Sequence, residues 1–132
     1  MLEVLPIQSK EEQEILCGRC RVPYRPDALA YKALSEGEFC GVCQFTMDHA
    51  GGRILDFAAL PGAAAWEPMF VMGRAALNFI DLCGVHRAFF DAGNTDETMI
   101  QSIGFSRNAE GRWEMDLTDF FREPCKHTGK QG

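Results

Sequence analysis

Four cysteines carry the spacing with the most obvious chemistry. Cys17-Gly-Arg-Cys20 and Cys40-Gly-Val-Cys43 form C-x2-C, nineteen residues, C-x2-C. That interval suits a structural zinc site, which takes four thiolates in tetrahedral geometry. Such a site needs each pair on a tight turn, so that both sulfurs face one ion. The first pair falls at a predicted helix end beside Gly18, where this is feasible. The second is embedded in Glu38-Phe-Cys-Gly-Val-Cys-Gln-Phe, which reads as a strand, and residues i and i+3 of a regular strand point to opposite faces. A β-bulge at Gly41 would restore the geometry. The reading adopted is that the thiols are buried and pack as small apolar groups, with no metal expected. A zinc-stabilised module built on Cys17, Cys20, Cys40 and Cys43 is the alternative.

The remaining metal-ligand types are scattered. Cys125 and His127 form a lone pair near the C-terminus, Cys83 ends a predicted helix, and His49 follows Asp48 at a turn. His86 stands at the amino end of a short strand, whereas ligands favour the carboxyl ends of strands in α/β sheets. It is read as structural. Trp66, Met69, Phe70 and Met72 cluster where a strand gives way to a helix, as part of a core stripe or as the wall of an apolar slot.

These residues need a scaffold, and the composition bounds it. The 132 residues are 46% hydrophobic with ten Phe and two Trp, enough for one core and one domain. The expected domain covers residues 1–120, followed by a tail over 121–132 that is poorly ordered at its end. A net charge of −6 argues against nucleic acid and anionic membranes as partners, since both reward clustered Lys and Arg. The N-terminus has no basic segment before an apolar run, and no apolar stretch approaches a membrane span. Six cysteines without a signal segment suit reduced thiols, so the expected location is the cytoplasm.

Alternation over Leu2–Ile7 predicts a first strand. Ser9 with Glu12 three residues on forms a capping box, placing a helix over 10–17. Strands follow at 28–34, 38–48 and 53–60, joined by Ser35-Glu-Gly37 and Gly51-Gly52, as an antiparallel meander. From Pro68 to Cys83 the polar residues Arg74, Asn78 and Asp81 share one narrow helical stripe, so the helix is largely buried. Pro68 at its start and Gly84 past its end fit the preference for Pro first and Gly last. A short buried strand at 87–91 completes a βαβ crossover. A helix at 95–103, capped by Asn94 or Thr95, and a hairpin of 105–108 with 112–117 close the chain. The predicted class is α/β, with a mixed central sheet flanked by helices.

This order resembles the GNAT (GCN5-related N-acetyltransferase) fold with one early helix shortened or missing. Glu36-Gly-Glu-Phe-Cys-Gly-Val42 looks like the family's hairpin between its second and third strands, and Ile54–Leu60 followed by Pro61 like its fourth strand. Ser102-Ile-Gly-Phe105 resembles its helix-ending Gly-Phe signature, with Asn94 near the family's Asn before that helix. The resemblance spans about residues 1 to 117. It implies transfer of an acetyl or other acyl group from acyl-CoA to a primary amine on a small molecule or peptide, and is compatible with a homodimer. It places pantetheine against the backbone of Phe57, Ala58, Ala59 and Leu60, with Met69, Phe70 and Asn94 also at the cofactor. Asp56 is then the candidate general base; the plainer reading makes it a solvated residue on the outer face of its strand. Tyr24, Tyr31 and Asp27 fall on or after the loop that covers substrate in such proteins.

Two departures from the family pattern stand out. The glycine-rich loop that cradles the CoA pyrophosphate should fall at Trp66-Glu67-Pro68-Met69-Phe70, which contains no glycine. Pro68 removes an N–H donor there, and Glu67 brings negative charge to a helix start that otherwise attracts anions. Ile100 stands where many members carry a proton-donating Tyr. A GNAT-fold binding module without catalysis would show both features, and is the second reading.

Overall fold

The computed structural model describes residues 1–121; the Cys125 and His127 pair and most of the expected tail lie outside them. Ten elements follow one another as β1 (Leu2–Pro6), α1 (Lys10–Arg19), β2 (Leu29–Ser35), β3 (Glu38–Asp48), β4 (Gly51–Ala59), α2 (Trp66–Leu82), β5 (Arg87–Phe90), α3 (Glu97–Ile103), β6 (Ser106–Arg107) and β7 (Trp113–Asp116). The strands form one sheet in the order β1-β2-β3-β4-β5-β7-β6. All neighbours are antiparallel except β4 and β5, which the α2 crossover makes parallel. The last strand of the described residues, β7, therefore lies inside the sheet, between β5 and β6.

Local chemistry sets the helix ends. The Ser9 side chain accepts a hydrogen bond from the Glu12 N–H, as the capping box requires. In α3 the cap is Asp96, whose carboxylate accepts from the Thr98 N–H. The expectation of Asn94 or Thr95 is corrected there: Asn94 takes a left-handed φ of 62° in the preceding turn, so the helix begins later.

The two ends of α1 and α2 can be compared directly, because both close with a Schellman motif. After α2, Gly84 N–H reaches Asp81 O at 2.9 Å and Val85 N–H reaches Ile80 O at 3.2 Å, with Gly84 at φ 87°. After α1, Arg21 N–H reaches Gly18 O at 3.1 Å and Val22 N–H reaches Cys17 O at 3.0 Å. Here the left-handed position, φ 63°, is held by Arg21. A side chain in that region costs on the order of 1 kcal/mol relative to glycine. The glycine of α1 lies instead inside the helix, at Gly18, where an added Cβ would meet nothing within 4 Å.

The main core lies between the sheet and α2. Met72, Ala76, Leu77 and Ile80 pack with Phe45, Ile54, Phe90, Ile103 and Leu117, all essentially inaccessible. Gly73 lets α3 approach α2 closely: a Cβ there would stand 2.6 Å from Ile103 Cδ1. A smaller cluster under α1 joins Ile7, Leu16, Cys17, Cys20, Ala30 and Val42.

The cysteines divide between these two layers. A register shift beside Ala33 leaves Cys40 as the extra residue of β3, so Cys40 and Cys43 both belong to the core under α2. The bulge thus does what was expected of it at Gly41, but Cys17 and Cys20 lie in the cluster under α1, on the other side of the sheet. The zinc alternative is corrected on that ground. Among the described residues no group of three or more His, Cys, Asp or Glu is placed to hold a metal ion. Burial pushes the thiols of Cys17 and Cys20 up from the ordinary 9.0 to about 11.

Candidate active-site cleft

The parallel pair β4 and β5 is short. Gly52, Arg53 and Ile54 pair with Ala88, Phe89 and Phe90, the Asp91 N–H still reaches Ile54 O at 2.8 Å, and beyond this the strands part. A second irregularity falls at the same level: between Gln44 and Phe45 the partner on β4 jumps from Asp56 to Ile54, making Leu55 the bulged residue. The bulge strengthens local twist, and the remainder of β4 runs on without β5 beside it.

The space so opened is a cleft of about 550 Å3. Leu55–Ala59 form its floor, Cys20–Pro23 one wall, Trp66 and Met69 the start of α2, and Ala92–Asp96 with Met99 the far side. The Phe57 carbonyl faces the cleft, where Thr95 Oγ1 reaches it at 3.5 Å. Alternate residues of a strand turn both backbone groups to the same edge, so Phe57 and Ala59 present theirs to the cleft. Leu60 N–H goes the other way, to Cys40 O at 2.8 Å.

Asp56 sits under α1 in a buried polar network. It is 7% exposed, which corrects the reading of a solvated outer-face residue. Its carboxylate is ion-paired with Arg25, and it accepts from Gln44 Nε2 at 2.8 Å. Gln44, fully buried, uses every polar atom of its amide. Nε2 also donates to Pro23 O at 2.7 Å, while Oε1 accepts from Gln13 Nε2 and from the Arg25 N–H, both at 2.9 Å. One amide therefore ties α1, β3, β4 and the α1–β2 loop together. A buried carboxylate persists when paired and hydrogen-bonded in this way.

Six of the eight sequence-predicted site residues line the cleft: Asp56, Phe57, Ala58, Ala59, Met69 and Asn94. Leu60 and Phe70 do not. Leu60 packs against the cluster under α1, and Phe70 stacks on Trp66 at 5.5 Å while Arg74 covers its ring. The predicted apolar cluster is split accordingly, with Met69 and Met72 buried and Trp66 half exposed at the cleft mouth. Ile100 is buried in the core. His86 Nδ1 lies 2.6 Å from Asp81 Oδ1 outside the cleft, and Tyr31 stacks on Phe45 in the core.

Sequence reasoning missed Gln13, Gln44, Arg25 and Arg21. The first three meet from α1, β3 and the α1–β2 loop through a strand register that no local pattern encodes. Arg21 carried a local signal, since Gly18-Arg-Cys-Arg21 puts the glycine three residues before the helix stop.

No family model matches the sequence, nor does any curated protein sequence. Solved structures do match its fold. An IAA acetyltransferase from Bacillus cereus superposes with a TM-score of 0.70 at 16% identity, over 89% of this chain and 100% of that one. The ribosomal-protein-S18-alanine N-acetyltransferase of Escherichia coli gives 0.65 at 10% identity, over 89% and 94%. The PaiA N-acetyltransferase of Thermoplasma acidophilum, solved in complex with coenzyme A, gives 0.66 at 11% identity, over 88% and 99%. The element order, the parallel pair that parts beside α2 and these superpositions agree: the chain has the fold of the GNAT acetyltransferases.

Proposed function

We propose that this chain is an N-acyltransferase that moves an acyl group from an acyl-CoA to a primary amine. The observation that carries the reading is the parting of β4 from β5, which leaves the Phe57 and Ala59 backbone groups without a strand partner, the Phe57 carbonyl meeting only the Thr95 hydroxyl at 3.5 Å, so that an amide-bearing donor arm can pair with them. A pantetheine chain has two amides at a spacing that an extended strand can match, and Met69, Met99 and Trp66 supply apolar contact beside it. The amine nitrogen would attack the thioester carbonyl, forming the C–N bond and breaking the C–S bond. Asp56 would take the amine proton through water, and the leaving sulfur would be protonated from solvent, since Ile100 offers no proton. Gln44 and Arg25 hold the carboxylate in one orientation while this happens.

Glu67 and Pro68 in the first turn of α2 favour a second reading, a binding module that keeps the fold without turnover. Thermal melts with acetyl-CoA and thiol release over a panel of primary amines separate the two. A raised melting temperature with thiol release that falls at least a hundredfold in Asp56→Asn supports the enzyme. A raised melting temperature with no release on any amine supports the module, and no shift at millimolar acetyl-CoA sinks the enzyme.

A further inference from the structure

We infer that Arg21 holds a phosphate of the thioester donor, in place of the glycine-rich turn that α2 lacks. The inference rests on the acyl-CoA reading above. Among the described residues, every other Lys and Arg has a partner. Arg25, Lys32, Arg53, Arg87, Arg107 and Arg112 are ion-paired, Lys10 and Arg74 donate to main-chain carbonyls, and Arg19 covers the Phe39 ring. The Arg21 side chain alone has no hydrogen bond, ion pair or ring contact, and the residue lines the cleft. The other charged side chains on the cleft are already engaged, Asp56 by Arg25 and Asp96 as the cap of α3.

Its backbone adds an independent argument. The matching motif after α2 uses glycine at the left-handed position, whereas the motif after α1 keeps an arginine there at φ 63°. A position that favours glycine and carries a strained, unpartnered cation at a cleft wall points to a use for the side chain.

Position along the cleft selects the donor's phosphate over a charge on the acceptor. Cys20 at the end of α1 belongs to the cluster against which Ala58 and Leu60 pack, and Cys20, Arg21, Ala58 and Ala59 line the same cleft. Ala58 and Ala59 are at the strand end from which the chain passes to α2. The loop then returns inward, so that Arg25, not Arg21, meets Asp56. At α2 itself Pro68 lacks an N–H, no side chain caps the helix, and Glu67 is the acidic residue of the first turn. An arginine fork suits phosphate oxygens and supplies what those backbone groups do not.

Calorimetric titration with CoA and with phosphate-free pantetheine, on the wild type, Arg21→Gly and Arg21→Lys, tests this. Arg21→Gly relieves the backbone strain, so its melting temperature should equal or exceed that of the wild type. Its CoA affinity should fall at least tenfold, with pantetheine affinity unchanged and Arg21→Lys intermediate. Unchanged CoA affinity in a well-folded Arg21→Gly overturns the inference while leaving the acyl-CoA reading intact. An equal loss for CoA and pantetheine also overturns it, because Arg21 would then only shape the wall. Wild-type protein that binds no CoA sinks the acyl-CoA reading and this inference with it.

Discussion

Replacing Gln44 with Leu should unravel the link between α1, the α1–β2 loop and β4 at a cost that can be worked from its bonds. The substitution preserves approximate volume and removes four hydrogen bonds. The one to the Asp56 carboxylate contributes about 1.5–3 kcal/mol, and the three neutral ones about 0.5–1.5 kcal/mol each. Some of this is recovered. Gln13 Nε2 keeps Arg25 O at 3.2 Å and Ala28 O at 3.4 Å, Asp56 keeps Arg25, and the freed loop groups at Pro23 and Arg25 lie near enough to the surface to meet water. Burying a leucine side chain returns roughly 1.5–3 kcal/mol. The net loss is about 2–4 kcal/mol, a large part of the ~5–15 kcal/mol available to a domain of this size. Urea unfolding measures it, and hydrogen exchange supplies the local signature: the Arg25 amide, which donates to Gln44 Oε1, should lose protection before the sheet does. A Gln44→Leu protein within about 0.5 kcal/mol of the wild type, with the Arg25 amide still protected, would refute the assignment of Gln44 as the link.

Three further outcomes follow from the packing. Gly73→Ala should destabilise by about 1–3 kcal/mol, because the new methyl drives into Ile103; adding Ile103→Val should recover part of the loss in the same unfolding assay. Gly18→Ala should stabilise by about 0.5–1 kcal/mol, since the Cβ meets open space in a helix, and a lower melting temperature would contradict that. The folded-state pKa of Cys17 and Cys20 is raised to about 11. Unfolded thiols release protons from about pH 9, so stability is full below that pH and falls as the pH rises towards 11. Urea midpoints between pH 8 and 11 should fall less steeply in a Cys17→Ala/Cys20→Ala double variant than in the wild type.

The scaffold was legible wherever a local rule decided it. Ser9 and Glu12 located α1, Pro68 and Gly84 bracketed α2, and the glycine turns at Ser35-Glu-Gly37 and Gly51-Gly52 revealed the meander. The site was legible only through the strand on which it lies. Asp56 is acidic and next to apolar residues, which suits a solvated position, and its burial depends on Gln13, Gln44 and Arg25 arriving from elsewhere in the chain. The bulges at Cys40 and Leu55 likewise follow from pairing between strands. They decide which face Cys40 joins and where the cleft opens, and neither leaves a mark in periodicity.

The placement of β7 inside the sheet has a consequence for how the chain is made. Synthesis delivers β5 with one edge bare, and that edge carries Phe89 and Phe90 until Trp113 pairs with Phe90. More than twenty residues must therefore emerge before the sheet is sealed, and this late, non-local pairing slows the final step. An apolar strand edge left open over that interval is a template for a neighbouring nascent chain. Chains cut short before Trp113 should accumulate as aggregates, while the full chain protects itself only when β7 threads into place.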